Sequence, residues 1–200
     1  MRSHFTRAAS FLILALAVTG SSSCTSAVLQ GTGSSFLIVD SLVGFANDEE
    51  TGTNLQSDVL TEGSVIEDEG IVTFRLGMKD PGSGTSPTTP SANNAITISR
   101  FRVAYTRTDG RNVQGVDVPF AFEGAFTVTV RGEGTTEANF SLVRAQAKAE
   151  APLRALRGGF GSSILSTIAE VTFYGKDQTG RAVTVVGRIS VDFADFADPQ

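Results

Sequence analysis

Histidine is almost absent from this sequence of 200 residues, and the only one is His4. Ser-His-Asp and Cys-His catalytic systems need an imidazole as their base, and most zinc and copper sites need one as a ligand. These chemistries are therefore excluded from the rest of the chain. Carboxylates remain, with Glu123 and Glu170 as candidates, but no second carboxylate is paired with either as glycoside hydrolysis would need. The sequence predicts a protein that is not an enzyme.

Cysteine and tryptophan are equally scarce. Cys24 is the only cysteine, so no intrachain disulfide can form and stability must come from burial of a core. There is no tryptophan, which excludes the Cys…Trp…Cys spacing of antibody domains. The glycine-rich residues 157–161 lack the spacing of a phosphate-binding loop.

Residues 1–23 have the pattern of a secretory signal peptide. Arg2 and Arg7 give the start a positive charge, and residues 11–18 form an apolar run that is too short to span a membrane. Small residues follow as far as Ser23. The sequence therefore predicts an exported protein.

Ser22, Ser23 and Cys24 resemble the signal of bacterial lipoproteins, in which the cysteine becomes the lipidated N-terminus. The resemblance implies lipidation at Cys24, a membrane anchor through that lipid, and a flexible tether over residues 24–34. Thr25 is not the Asp of inner-membrane lipoproteins, which favours the outer membrane. Ser21 stands where this family usually has Leu, so ordinary cleavage after Ala27 and a secreted or periplasmic protein remain an alternative.

Short β-branched and aromatic runs fill residues 35–198, which we interpret as one domain. Eight segments are predicted to be extended, with turn signals about every 8–12 residues: 35–45, 71–78, 96–108, 116–122, 125–131, 140–147, 164–175 and 181–196. Residues 140–147 also contain helix-favouring Ala, Gln, Arg and Lys, and a helical turn is predicted at 152–156. This pattern is typical of an antiparallel, immunoglobulin-like β-sandwich of seven or eight strands. In layout it resembles β-sandwich proteins of bacterial envelopes.

The last two of these segments predict a β-hairpin at the centre of the fold. Residues 176–180 supply the Asp and Gly of its turn, and apolar residues alternate along both strands. Gly187 interrupts the second strand and predicts a bulge. In the strand over 96–108 the apolar alternation changes parity near Ser99 and Arg100, which predicts a register shift there.

Acidic residues gather in two short clusters that contain no basic residue. Their carboxylates are the oxygen ligands that Ca²⁺ prefers, so the clusters are candidates for a calcium site. The alternative is that each cluster is a solvated loop. Asp192, Asp195 and Asp198 form a third group near the C-terminus. The weak calcium candidates are Asp48, Glu49, Glu50, Glu67, Asp68 and Glu69.

The net charge of −5 argues against nucleic-acid binding. Arg100, Arg102, Arg107 and Arg111 are a local exception, either as a grip for an anion or as partners of nearby carboxylates. Together the observations predict a lipid-anchored, extracytoplasmic β-sandwich that acts as a structural or protein-interaction module of the cell envelope, with no required cofactor and with an envelope protein as partner. A calcium- or carbohydrate-binding module that uses the acidic loops is the alternative.

Overall fold

The structure is a computed structural model that describes residues 33–46, 49–159 and 161–196. Within these residues the chain is almost entirely extended. Its strands are β1 (Ser35–Ala46), β2 (Glu49–Gly52), β3 (Asn54–Asp58), β4 (Asp68–Met78), β5 (Gly82–Ser83), β6 (Ser86–Pro87), β7 (Ile96–Thr106), β8 (Phe122–Val130), β9 (Thr135–Val143), β10 (Leu165–Asp177) and β11 (Ala182–Ala194). One short α-helix, α1 (Ala145–Ala149), and 3-10 turns at Ala92–Asn94 and Leu153–Leu156 complete the described elements. No helix within the described ranges is long and apolar enough to cross a membrane.

The strands form a β-sandwich of two main sheets. The first sheet has the order β2-β1-β4-β9 and the second the order β3-β11-β10-β7-β8, while β5 and β6 form a separate small hairpin. Among the seven long strands, the first, second and fifth share one sheet and the others share the second. The predicted all-β sandwich is confirmed. It is not wholly antiparallel, because β3 pairs in parallel with β11.

The predicted hairpin lies inside the second sheet, between β3 and β7. Strands β10 and β11 pair without a register shift, and their inward side chains are buried in an alternating pattern. In the turn, the Asp177 Oδ1 accepts bonds from the amides of Thr179 and Arg181, and Gly180 has a φ of 80°. The prediction for this hairpin and its turn is confirmed.

Gly187 does not form the bulge that the sequence predicts. It pairs regularly with Val171 in the ladder between β10 and β11. A Cβ at this position would lie 3.1 Å from Leu42 Cδ2 and 3.3 Å from Val39 Cγ1, both on the opposing sheet. The glycine therefore makes room for side chains from β1.

The parity change in β7 is confirmed. Ile96 and Ile98 are buried, Ser99 and Arg100 are both exposed, and burial resumes at Phe101. The ladder between β7 and β8 shifts register between Ile98 and Arg100. In the ladder between β7 and β10, Ile98 pairs with Gly175 and Arg100 with Tyr174, so one extra residue on β7 keeps both of its halves facing the core.

Three segments differ from the sequence-based prediction. Residues 116–122 are not a strand: residues 115–118 form a turn, and β8 begins only at Phe122. The segment 140–147 divides, with β9 ending at Val143 and α1 beginning at Ala145, because the alternation of Phe140 and Leu142 gives way there to helix-favouring residues. The helical turn that follows is confirmed at Leu153–Leu156. The sequence does not predict β2 and β3, because both are short and mostly polar, with Leu55 the only large apolar residue.

Phenylalanines fill the space between the two sheets. The rings of Phe74 and Phe140 from the first sheet lie 5.0 Å and 5.4 Å from the ring of Phe173 in the second, both edge to face. Three phenylalanines also cover a glycine on the neighbouring strand: Phe101 lies over Gly124, Phe140 over Gly70 and Phe36 over Gly77. Because glycine has no Cβ atom, these rings can pack directly on its backbone, which accounts for the glycines inside the strands.

The sandwich has two distinct ends, which we call the entry end and the far end. At the entry end, the Gly33 amide donates a 2.8 Å bond to Asp177 Oδ2 and the Lys79 amide donates a 2.9 Å bond to the Ser34 carbonyl. Gly33 and Ser34 are the last two residues of the predicted tether, and its other residues lie outside the described ranges. Strands β4 and β10 begin at the far end, where β7 and β11 end.

Candidate functional site

The structure separates the acidic residues that the sequence offered as calcium ligands. Glu50 and Glu69 are register partners of the same residue, Phe45, on opposite sides of β1, so about 10 Å separates their strands. At the start of β4 the alternation of the strand turns Asp68 into the core and Glu69 toward solvent. Asp48 and the side chain of Glu49 lie outside the described residues, and Glu67 is exposed. In the described ranges no three His, Cys, Asp or Glu side chains could together hold a metal ion.

The carboxylates considered for catalysis lie on the surface in ion pairs. Glu123 Oε2 is 2.7 Å from Arg100 Nη1, and Glu170 Oε2 is 2.7 Å from Arg188 Nη2. Cross-strand pairing produces both contacts, since β8 lies beside β7 and β11 beside β10. The two glutamates thus lie on separate strand pairs and do not converge on one cleft.

Three of the four arginines that the sequence groups together form ion pairs with nearby carboxylates. Besides Arg100, both Arg107 and Arg111 bond Asp109 in the segment after β7. The side-chain bond from Arg107, followed by the backbone bond from Arg111, lowers the pKa of Asp109 to about 2. For these three arginines the interpretation as partners of local carboxylates agrees with the structure.

Of the C-terminal acidic group, two members have separate structural partners. Asp192 Oδ2 accepts a 3.2 Å bond from Asn54 Nδ2 and so joins β11 to β3. Asp195 accepts a bond from the Gly158 amide. Asp198 lies outside the described residues.

A buried ion pair at the far end is the main polar feature that sequence reasoning missed. Lys148 Nζ lies 2.9 Å from Asp68 Oδ1, and their side chains are only 1% and 4% exposed. Asp68 is the first residue of β4 and Lys148 belongs to α1, so the contact joins the first sheet to the segment that leads to β10. Because Lys148 stands among alanines in a helix-favouring run, its spacing in the sequence gives no signal of burial.

The polar groups around this pair are buried and only partly hydrogen-bonded. Asp68 Oδ2 and the Ser57 hydroxyl are both buried without a hydrogen-bond partner among the described residues. The hydroxyl is close enough to lower the pKa of the carboxyl, yet the geometry falls short of a good bond. Burial outweighs this effect and the Lys148 charge, so that the pKa of Asp68 is raised. Beside them, the Tyr105 hydroxyl donates a 2.5 Å bond to the Leu142 carbonyl, and burial raises the pKa of Tyr105 strongly.

Exposed apolar side chains are concentrated at the far end. In the described ranges, the exposed large apolar residues are Ile66, Val113, Val116, Phe120, Ile164 and Val186. All of them except Val186 belong to segments that connect strands at the far end, next to the start of β4, between β7 and β8, and next to the start of β10. Single exposed apolar residues are common, and here five of the six in the described ranges share one end of the domain.

Three of these side chains belong to residues 107–121, which we call the presenting loop. Val113, Val116 and Phe120 are 60%, 68% and 50% exposed. Val118 from the same loop is fully buried, and its carbonyl accepts a 2.8 Å bond from the Gly115 amide. Val118 therefore fixes the loop to the core, while Val113 and Val116 point to solvent and the half-exposed Phe120 ring lies over Gly115 of the same loop.

Hydrogen bonds within the presenting loop add to this rigidity. The Val113 amide donates to Asp117 Oδ2 at 3.1 Å, and the Ala121 amide donates to Gln114 Oε1 at 3.1 Å. The Arg107 amide donates to Asn112 Oδ1 at 2.6 Å. Side chains of the loop therefore satisfy its own backbone, and the exposed apolar groups are held in fixed positions.

A shallow cleft of about 440 Å³ lies on the outer face of the second sheet, toward the far end. Hydroxyl, amide and carboxylate groups form most of its side-chain lining. The lining residues are Asn54, Thr108, Ser166, Thr167, Ile168, Ser190 and Asp192. The described part of the cleft has hydrogen-bonding groups but no aromatic ring.

No family model matches this chain, and no curated protein is significantly similar to it.

Proposed function

We propose that this protein is a lipid-anchored, extracytoplasmic module of the bacterial envelope that binds a protein partner through its far end and does not catalyse a reaction. The observation that carries the proposal is the presenting loop, which holds Val113, Val116 and Phe120 exposed on a rigid backbone. A partner protein with an apolar groove would cover these side chains.

The free energy expected from burying these side chains in an interface supports this interpretation. Burial of an exposed Val or Phe side chain contributes about 1.5–3 kcal/mol. Three side chains held in place would supply several kcal/mol, and little conformational entropy would be lost on binding because the loop is already ordered.

The position of the predicted lipid anchor supports the same proposal. A lipid on Cys24 would hold the membrane near the entry end, since only a short segment separates that residue from Gly33 and its bond to Asp177. The presenting loop lies at the opposite end of the sandwich. This arrangement would direct the apolar side chains away from the membrane and toward a partner.

Two features support a non-catalytic role. Histidine is absent after His4, which removes the commonest general base. The glutamates on the outer face of the second sheet, Glu123 and Glu170, are engaged by arginines on neighbouring strands.

Site-specific photocrosslinking in cells tests the proposal. A photoreactive amino acid at Val116 is expected to give one discrete crosslinked product, and the same probe at Thr85, exposed in the β5–β6 hairpin at the entry end, is expected to give none. Val113→Ser together with Phe120→Ser should abolish the product while the thermal melt of the protein changes little. Equal crosslinking from both positions, or a product that survives the two substitutions, would contradict the proposal.

A second candidate function is the binding of a carbohydrate in the cleft on the second sheet. Asn54, Ser166, Ser190 and Asp192 there offer hydrogen bonds of the kind that sugar hydroxyls accept and donate. Titration of the protein with envelope oligosaccharides, followed by NMR, is expected to shift the amides of these four residues. The matched variant Ser190→Val should remove the shifts, and unchanged spectra in the wild-type protein would contradict this candidate.

A further inference from the structure

We propose that Lys148 and Asp68 form an intramolecular amide, which covalently joins α1 to the start of β4. The two side chains meet in direct contact, with 2.9 Å between Nζ and Oδ1, and both are almost fully buried. This assignment is independent of the proposed function.

Geometry favours the reaction. When an amine and a carboxyl group are held within about 3–3.5 Å, their condensation is intramolecular, and its effective concentration is far above any reached in solution. Lys148 is held by the helix that contains it, and the Arg157 guanidinium bonds its backbone carbonyl at 3.0 Å. Asp68 is held in the ladder between β4 and β9, opposite Val143. The fold thus fixes both reacting groups from their backbones.

Burial favours the product. A buried ion pair loses the hydration of both charges, and this loss often exceeds the gain from their attraction. Here the pair is incompletely satisfied as well, because Asp68 Oδ2 has no hydrogen-bond partner among the described residues. An amide carries no charge and leaves no carboxylate to solvate. Burial also raises the pKa of Asp68, which makes its reactive, protonated form more accessible.

The step is a condensation that balances without an oxidant or a cofactor. One proton passes from the Lys148 ammonium to the Asp68 carboxylate, and the neutral Nζ attacks Cγ. The Nζ–Cγ bond forms and the Cγ–Oδ2 bond breaks. Oδ2 leaves as water with two of the three ammonium protons, and the third stays on the amide nitrogen. The Ser57 hydroxyl, which is buried near this carboxyl but not hydrogen-bonded to it, is the group to which we assign the relay of a proton to the departing oxygen.

Peptide mapping of the full-length chain tests the bond directly, because the result does not depend on processing of the N-terminus. Trypsin is expected to cleave after the exposed Lys176 but not after Lys148, whose amine is blocked. Further digestion with a glutamyl endopeptidase should give a branched peptide in which residues 68–69 are attached to residues 145–150, lighter by one water than the sum of the two. Full cleavage after Lys148, with only linear peptides, would overturn the proposal.

Two variants complete the test. Lys148→Arg keeps the positive charge but should give only linear peptides. Ser57→Ala should lower the branched fraction in freshly synthesised protein, measured by sampling over time, whereas Ser141→Ala removes another buried, unbonded hydroxyl and should leave that fraction unchanged. A branched peptide in the Lys148→Arg protein would show that the lysine is not the donor, and equal rates in the two serine variants would overturn the relay.

Discussion

Replacement of Phe173 by alanine should show how strongly the aromatic core holds the two sheets together. This side chain is fully buried at the middle of β10. Its ring contacts Phe74 and Phe140 from the first sheet and lies 6.0 Å from the ring of Phe126 on β8. The substitution would therefore leave a cavity that elements of both sheets line.

The expected loss is large for a single substitution. Phe→Ala changes in a core cost about 3–5 kcal/mol, and edge-to-face ring contacts place Phe173→Ala in the upper part of that range. For a domain of this size, each kcal/mol lowers Tm by about 2–4 °C. The midpoint of thermal unfolding should thus fall by about 8–20 °C.

The matched control is Phe120→Ala in the presenting loop, where the same chemical change removes a side chain that is 50% exposed. Its expected cost is below about 1 kcal/mol, as for most surface positions. Urea unfolding followed by far-ultraviolet circular dichroism measures both variants, and the slope of the free energy against urea should stay unchanged. Equal losses in the two variants, or a loss below about 1 kcal/mol for Phe173→Ala, would refute this account of the core.

Three further predictions concern other parts of the domain. Gly124→Ala should destabilise the protein by about 1–3 kcal/mol in the same urea assay, because a Cβ there collides with the Phe101 ring; an unchanged midpoint would contradict this. The pKa of Asp109 is lowered from 3.8 to about 2, so its contribution to stability should be present above pH 4 and should disappear as the pH falls toward 2; an NMR titration of the carboxyl with a midpoint near 4 would refute it. Asp177→Ala should speed amide exchange at Gly33, which loses its acceptor; equal exchange rates would exclude that role.

The hairpin shows where sequence and structure agree, and why. Between Leu165 and Asp177 the side chains alternate, because successive residues of a strand face opposite sides of the sheet. The turn needs one Asp and one Gly within a few residues. Both signals are local, so they can be recognised without knowing which other strands pair with the hairpin.

The errors arose where distant residues decide the outcome. The local sequence predicts a bulge at Gly187. The side chains that occupy the space beside this glycine, Val39 and Leu42, belong to the opposite sheet. The sequence groups Asp68 with its acidic neighbours, either as a calcium ligand or as part of a solvated loop. Its burial depends on Lys148, which follows it by 80 residues. No pattern within either segment contains this information.

The sequence by itself determined the fold class and excluded imidazole chemistry from residues 5–200, because alternation and composition are properties of the chain. It also located the turn at Asp177 and the register shift near Ser99. Only the tertiary structure decided that Asp68 meets Lys148, that Glu50 and Glu69 flank one strand, and that the exposed apolar residues gather at the far end. These facts depend on the pairing of strands distant in sequence, which is selected by packing of the whole core and not by any local segment.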